Sequence, residues 1–173
     1  MGREKNLLIV GAGQYSYVAK ETAEAMNYYD KISFIDNKSP LAIGKTDEVE
    51  LFLKEYANAF VAIGNSQVRL QLLDRLRMTG YQLVSLIHPK AYVSPSLNLG
   101  IGCIIEPNAV VQSNTRIGMG CLISAGAVIN HNAVVEDGCH IDCNAIVPAR
   151  SVVKTGTKVE CGQVYSNENS TTV

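Results

Sequence analysis

The sequence predicts an α/β N-terminal domain, Rossmann-like with a small parallel sheet, followed by a parallel β-helix. Three observations predict this architecture: aliphatic residues recur at every sixth position of the second half, strands alternate with helices in the first half, and a proline-containing junction separates the two patterns. We place the N-terminal domain at residues 1–86, the β-helix at 87–165 and a polar tail at 166–173.

The six-residue period decides the fold of the second half. A helix repeats about every 3.6 residues and a strand about every two, so neither produces this period. A hexapeptide solenoid does, because each hexad is a short strand plus a turn, and three hexads complete one triangular coil. The first-position side chains should therefore face the interior: Ile87, Val93, Leu99, Ile105, Val111, Ile117, Ile123, Ile129, Val135, Ile141, Val147, Val153 and Val159.

The cysteines follow the same repeat. Cys103, Cys121 and Cys139 occupy the small fifth position of their hexads and are separated by one full coil. Stacked coils bring such residues about 4.8 Å apart, so we expect a ladder of reduced, inward-facing thiols. The sequence has no Cys-x-x-Cys pair, and the spacing therefore argues against a metal site.

Strands and helices alternate over residues 5–86, which indicates parallel βαβ units. We read NLLIVG, KISFID, AFVAIGN and YQLVSLI as strands of a sheet with roughly four or five strands. Residues 16–27 and 66–79 read as helices, and Arg69, Arg75 and Arg77 occupy polar positions of the second helix.

One sixth-position column of the solenoid is apolar over its whole height. An exposed apolar stripe of this size is a liability, and a ring of prisms, most simply a homotrimer, would bury it. The alternative is that these side chains tuck partly into their own coil. The column is Tyr92, Val110, Val128, Ile146 and Val164.

Composition excludes several function classes. The chain has 173 residues and a formal net charge of −1, which gives no electrostatic case for binding nucleic acid or a membrane surface. No apolar run reaches membrane-spanning length. The N-terminus runs into a strand without a signal-peptide pattern, so we expect a cytoplasmic protein.

Three loops at the carboxyl ends of the predicted strands are candidates for binding a ligand. Gly11-Ala12-Gly13 follows a strand and opens a helix, where backbone N–H groups can face a phosphate. Ser16 replaces the third glycine of the dinucleotide pattern, so a tight turn that binds nothing is an alternative. Asp36 can accept hydrogen bonds from a ribose or hold a turn, and Gly64 ends the third strand at the same edge.

The sequence contains three histidines, and two of them lie in the solenoid. His88 precedes Pro89 at the junction, which favours a structural role. His131 occupies an outward corner, and His140 follows half a coil later. The two cannot be neighbours on one prism, but they could meet between adjacent prisms of a ring. Histidine suits general base catalysis because it titrates near neutral pH.

The strict hexads, the segment INHNAVVEDGCHI within them and the GAG-type N-terminal half resemble a known family. They are similar to sugar acetyltransferases, among them bacillosamine-pathway UDP-4-amino-sugar N-acetyltransferases and sialic acid O-acetyltransferase relatives. FID, AIGN and LIHPKAYVSPS extend the resemblance over essentially the whole chain.

The resemblance implies a left-handed β-helix, a homotrimer, and acetyl-CoA lying between neighbouring prisms, with no metal. It also implies a nucleotide-linked amino sugar as the small-molecule substrate, held by the N-terminal domain, and His131 as the catalytic base. The implied acetyl-CoA-binding residues are His140, Ala149 and Cys161, and the implied substrate-binding residues are Gly11, Gly13, Asp36, Asn37, Gly64 and Ser124.

The sequence departs from the family at three places near the site. Asn132 follows His131 where many relatives have an acidic residue, Ser124 replaces an asparagine, and Gln14-Tyr15 replaces a glycine-histidine pair. The alternatives are O-acetylation of sialic acid or another sugar, and a non-catalytic trimeric β-helix protein. A cysteine-based covalent mechanism is conceivable, but the inward positions of the cysteines argue against it.

Overall fold

The N-terminal domain is a parallel four-stranded sheet packed with helices. The computed structural model describes residues 2–166. The elements are β1 (Asn6–Val10), α1 (Gln14–Ala25), β2 (Lys31–Ile35), α2 (Val49–Phe52), β3 (Asn58–Val61), α3 (Ser66–Thr79) and β4 (Gln82–Leu83), with 3-10 turns at Arg3–Lys5 and Thr46–Glu48. The strand order is β2-β1-β3-β4. All five residues of β1 are buried, as the central strand of a sheet covered on both faces requires.

Thirteen two-residue strands form the β-helix. They are β5 (Leu86–Ile87), β6 (Tyr92–Val93), β7 (Asn98–Leu99), β8 (Ile104–Ile105), β9 (Val110–Val111), β10 (Arg116–Ile117), β11 (Leu122–Ile123), β12 (Val128–Ile129), β13 (Val134–Val135), β14 (His140–Ile141), β15 (Ile146–Val147), β16 (Val152–Val153) and β17 (Lys158–Val159). They stack into three parallel sheets in the orders β5-β8-β11-β14-β17, β6-β9-β12-β15 and β7-β10-β13-β16. The fold is the predicted left-handed parallel β-helix.

The interior of the β-helix is filled as the hexad pattern predicts. First-position side chains from Ile105 to Val159 are buried, and Ile87, Val93 and Leu99 of the first coil pack against them. Cys103, Cys121 and Cys139 are buried and free, which confirms the predicted ladder of thiols. Each thiol donates a hydrogen bond to a carbonyl of the next coil, for example Cys121 Sγ to Glu136 O at 3.1 Å.

Two outward columns of the β-helix have different surroundings. Ile104 and Leu122 are buried in a cluster with Leu7 and Phe60 of the N-terminal sheet, so this column forms the apolar seam between the two parts. The column that begins at Tyr92 is not covered by any of residues 2–166: Tyr92 is 59% exposed and Val164 is 60% exposed. The side chains between them are partly exposed.

Two predictions about the N-terminal half are wrong in detail. The segment YQLVSLI is not one strand, because β4 joins the N-terminal sheet while β5 begins the β-helix. Arg69 does not lie on the polar face of its helix. Its side chain is fully buried, because α3 packs along the β-helix. Arg75 and Arg77 are at the surface as predicted.

Within residues 2–166, none of the helices has the length and apolar character needed to cross a bilayer. All of the predicted polar tail except Ser166 lies outside the described residues.

Candidate active site at the seam between the two parts

The glycine turn after β1 has the tight geometry that its sequence predicts. Gly11 has a φ of 102°, a conformation that suits glycine. A Cβ at this position would lie 3.1 Å from Ala62 O, so the turn also approaches the end of β3 closely. α1 begins directly after Gly13, and Gly13 O accepts a hydrogen bond from the Ser16 hydroxyl at 2.6 Å. The exposed Gly13 therefore lies at the open N-terminus of α1.

The Asp36 carboxylate holds the loops around this turn. It accepts hydrogen bonds from the backbone N–H groups of Ala12 at 3.0 Å, Lys38 at 2.8 Å and Ser39 at 3.0 Å. These bonds, that of Ala12 first, lower the pKa of Asp36. Asp36 therefore holds the turn in this structure, which is one of the two roles predicted for it. Asn37 beside it accepts two hydrogen bonds from Thr46.

Arg69 joins the loop after β3 to the β-helix. Its guanidinium donates hydrogen bonds to Ile63 O at 2.7 Å and Gly64 O at 2.8 Å in that loop. It also donates to Gly120 O at 2.7 Å and Gly138 O at 2.8 Å, which lie at equivalent corners of consecutive coils. A buried cation is tolerated only when its hydrogen bonds are satisfied, so Arg69 fixes the Gly64 loop relative to the coil.

A second polar contact crosses the seam beside the glycine turn. The Tyr15 hydroxyl in the first turn of α1 donates a hydrogen bond to Glu106 Oε1 at 2.8 Å. The backbone N–H of Ala125 donates to the other oxygen at 3.1 Å. Glu106 is only 5% exposed. Burial raises the pKa of Glu106, and the hydrogen bonds from Tyr15 and Ala125 oppose that rise.

Ser124 and His140 lie on the same side of the β-helix as Glu106. Ser124 is buried, and its Oγ lies 3.1 Å from His140 Nε2. Asp142 Oδ1 lies 3.7 Å from the same nitrogen, and Lys158 pairs with Asp142 at 3.1 Å. Burial lowers the pKa of His140, while the nearby Asp142 carboxylate opposes that change. The structure thus groups the predicted residues Ser124 and His140 into one polar cluster.

His131 lies elsewhere, at an exposed corner, as its hexad position predicts. Asn132 Nδ2 lies 2.8 Å from His131 Nδ1, so the residue that replaces the acidic neighbour still contacts the imidazole. Asn132 has a φ of 57°, which asparagine tolerates better than most residues. Gln112 Oε1 accepts a hydrogen bond from the His131 backbone N–H at 3.3 Å.

The remaining predicted site residues are at the surface of the β-helix. Ala149 and Cys161 are both exposed. His88 accepts a hydrogen bond at Nδ1 from the Lys90 backbone N–H at 3.1 Å, the kind of local bond that a structural role implies. Among residues 2–166, no cluster of three or more histidine, cysteine or acidic side chains could hold a metal ion.

Sequence reasoning did not find three residues that define the seam: Tyr15 as a partner of the β-helix, Glu106 and the buried Arg69. The sequence does contain a signal for the packing of α3 on the β-helix. Glycines at 102, 120, 138 and 156 recur once per coil. Three of them closely approach side chains of α3, among them Leu73 and Ser66. The contact between Tyr15 and Glu106 spans 91 residues and has no periodic signal.

The chain thus combines an α/β domain with a hexapeptide β-helix that carries a histidine at an exposed corner. Two family models match the chain: "PglD N-terminal domain" over residues 6–76 and "Bacterial transferase hexapeptide (six repeats)" over residues 97–131. The first part of the chain is thus similar to a PglD N-terminal domain and the second part to a hexapeptide-repeat transferase domain.

One curated relative is similar to part of the chain. The chain is 30% identical over 110 residues to the UDP-N-acetylbacillosamine N-acetyltransferase of Bacillus subtilis (strain 168). The match spans 58% of this chain and 50% of that protein, so this chain aligns with half the length of the curated relative.

Two solved structures resemble most of this chain. The acetyltransferase domain of PglB from Neisseria gonorrhoeae FA1090, in complex with acetyl coenzyme A, has a TM-score of 0.82 at 28% identity and covers 93% of this chain and 84% of that one. PerB from Caulobacter crescentus, in complex with CoA and GDP-perosamine, has a TM-score of 0.68 at 25% identity and covers 90% of this chain and 91% of that one.

Proposed function

We propose that this protein transfers the acetyl group of acetyl-CoA to the amino group of a nucleotide-linked amino sugar. The observation that carries the proposal is the seam itself. The open N-terminus of α1, which suits a phosphate, lies beside Tyr15, and Tyr15 contacts Glu106 next to Ser124 and His140. A nucleotide sugar at the glycine turn would therefore place its sugar near the β-helix. The complexes of the two solved relatives support both ligands.

In the proposed reaction, the sugar amine attacks the thioester carbonyl, His131 takes the amine proton, and CoA leaves as the thiol. An asparagine amide can turn either Nδ2 or Oδ1 toward a neighbour. With Oδ1 of Asn132 accepting from His131 Nδ1–H, His131 Nε2 is free to accept the proton. Backbone N–H groups of a neighbouring prism would stabilise the oxyanion.

We propose that the active unit is a homotrimer, with acetyl-CoA between adjacent prisms near His140, Ala149 and Cys161. The support is the apolar column from Tyr92 to Val164, which none of residues 2–166 covers. Cys121 does not suit a covalent mechanism, since hydrogen bonding with Cys103 raises the pKa of its buried thiol and makes it a poor nucleophile. We also propose a cytoplasmic location, because free buried cysteines are typical of a reducing compartment.

A release assay for the CoA thiol, run with acetyl-CoA and a panel of UDP- and GDP-linked sugars, tests the proposal. Each amino sugar is paired with the hydroxyl sugar of the same configuration. We expect release with at least one amino sugar and none with its hydroxyl partner. Release with the hydroxyl sugars alone would make the protein an O-acetyltransferase, and no release with any sugar would favour a non-catalytic role.

A further inference from the structure

Cys143 and Cys161 occupy equivalent corners of consecutive coils at the end of the β-helix. Each lies in a turn two residues after a strand, Cys143 after β14 and Cys161 after β17. These two strands pair in parallel, with Ile141 opposite Val159. The Gly162 backbone N–H donates a hydrogen bond to Cys143 O at 2.9 Å, so the same register continues through the two turns.

This register brings the two thiols within reach of each other. Neighbouring strands of a sheet lie about 4.8 Å apart, and the Cα atoms of a disulfide are usually roughly 4.4–6.8 Å apart. The residue after each cysteine has a positive φ, 57° at Asn144 and 71° at Gly162, so the two turns have a similar form. The Cβ atoms of Cys143 and Cys161 therefore point in the same direction and not apart, as a disulfide requires.

The corner pair differs in exposure from the other three cysteines. Cys161 is exposed, Cys143 is partly exposed, and both are free. Cys103, Cys121 and Cys139 repeat with the same spacing of one coil, but they are fully buried inside the prism. Oxidation of a cysteine depends on its exposure as well as on its thiolate character. A dissolved oxidant therefore reaches the corner pair and not the interior ladder.

We propose that Cys143 and Cys161 form a redox-sensitive site, which a hydroperoxide oxidises to a disulfide that ties the last coil to the coil before it. With hydrogen peroxide, the Cys161 thiolate attacks one oxygen, the O–O bond breaks, and a sulfenic acid and one water form. The Cys143 thiol then attacks the sulfenic sulfur and releases a second water. The two thiols lose two electrons and two protons in total, and the peroxide is reduced to two waters.

The order of the two cysteines follows from their surroundings. Burial raises the pKa of Cys143, so the exposed Cys161 is the thiol that meets the peroxide and Cys143 is the one that closes the bond. Disulfides in a reducing compartment are typically transient. A dithiol reductant should therefore restore both thiols.

The position at the end of the solenoid gives the cross-link a structural effect. Within residues 2–166, β17 is an edge strand that pairs with β14 on one side only. Terminal segments open locally more readily than interior ones. A bond at the Cys161 corner should therefore slow the local opening of the last coil.

Peroxide treatment of the wild-type protein, followed by alkylation of free thiols in denaturant and peptide mass spectrometry, tests the site. We expect one intramolecular disulfide between the peptides that contain Cys143 and Cys161, while the three interior cysteines are recovered alkylated. Dithiothreitol should return the pair to thiols. Hydrogen exchange at the backbone amides of residues 158–162 should be several-fold slower in the oxidised protein, with β11 unchanged as the internal reference.

Cys161→Ser is the matched control, because it keeps Cys143 and removes its partner. This variant should form no intramolecular disulfide, and peroxide should not slow its hydrogen exchange.

Free thiols at both positions after peroxide treatment of the wild type would overturn the proposal, and so would a Cys161 bond between two chains. A disulfide that leaves the exchange of residues 158–162 unchanged would contradict the effect on the last coil. None of these measurements uses acetyl-CoA or a sugar, so their outcome is independent of the proposed acetyl transfer.

Discussion

At the residue scale, the proposed chemistry depends on the exposed His131 and its contact with Asn132. His131→Ala should lower turnover by roughly 10²- to 10⁴-fold, the usual effect of removing a positioned general base. CoA binding and stability should change little, because the side chain is at the surface. Steady-state kinetics on a confirmed substrate measures this. His88→Ala is the control, since His88 contacts a turn at the junction. Wild-type turnover in His131→Ala would remove His131 from the mechanism.

The buried Glu106 predicts a pH dependence of stability. Because burial raises its pKa above the ordinary value of 4.5, the folded protein binds a proton that the unfolded chain has already lost. This extra proton stabilises the folded wild-type protein at low pH. The stabilisation is therefore lost as pH rises from about 4.5 through the raised pKa of Glu106. Glu106→Gln cannot ionise and should not share this loss.

Urea unfolding of both proteins across that pH range checks the prediction. The difference in the free energy of unfolding should move in favour of Glu106→Gln as pH rises through the window. A difference that stays constant with pH would show that Glu106 has the same pKa in both states.

At the scale of elements, the packing of α3 on the β-helix fixes the seam. A Cβ on Gly138 would clash with Ser66 Oγ and lie 2.9 Å from Leu70 Cδ1, so these side chains of α3 would have to shift. Gly138→Ala should therefore destabilise the protein by this clash in addition to the cost of a φ of 67°, which is about 1 kcal/mol.

Gly162→Ala separates these two effects. Gly162 has a φ of 71° but no atom within 4 Å of its Cβ position, so only the backbone cost applies. Thermal unfolding should place Gly138→Ala clearly below Gly162→Ala. Equal melting temperatures would contradict an energetic cost of the contact that a Cβ on Gly138 makes with Ser66 and Leu70.

An element could be predicted from the sequence where the pattern that specifies it is local. The β-helix could be predicted because the period of six recurs thirteen times and has one structural solution. The division of YQLVSLI between two sheets could not, because an apolar run does not show which sheet it joins. Arg69 lies at a position that is polar by helical periodicity. Arg69 can be buried because the folded coil supplies the carbonyl oxygens of Gly120 and Gly138 as hydrogen-bond acceptors.

At the scale of the whole molecule, the apolar column from Tyr92 to Val164, which the described residues leave uncovered, predicts assembly. Val128 lies at its centre, and Val128→Glu would bury an unpaired charge in the proposed trimer, which typically costs several kcal/mol. We expect light scattering to give a trimer for the wild type and smaller species for Val128→Glu. Asn98 is exposed at the same hexad position as Val128 but on another face of the β-helix. Asn98→Glu is therefore the control and should remain trimeric. A monomeric wild type at micromolar concentration would contradict the trimer.

The most direct test of the proposed function is the mass of a nucleotide-linked amino sugar before and after incubation with acetyl-CoA and the wild-type protein. Transfer to the amine predicts a product heavier by one acetyl group, with the acetyl on nitrogen by NMR and one CoA thiol formed for each product. The same sugar recovered unchanged across the UDP- and GDP-linked panel, from protein shown to be folded, would contradict the proposal.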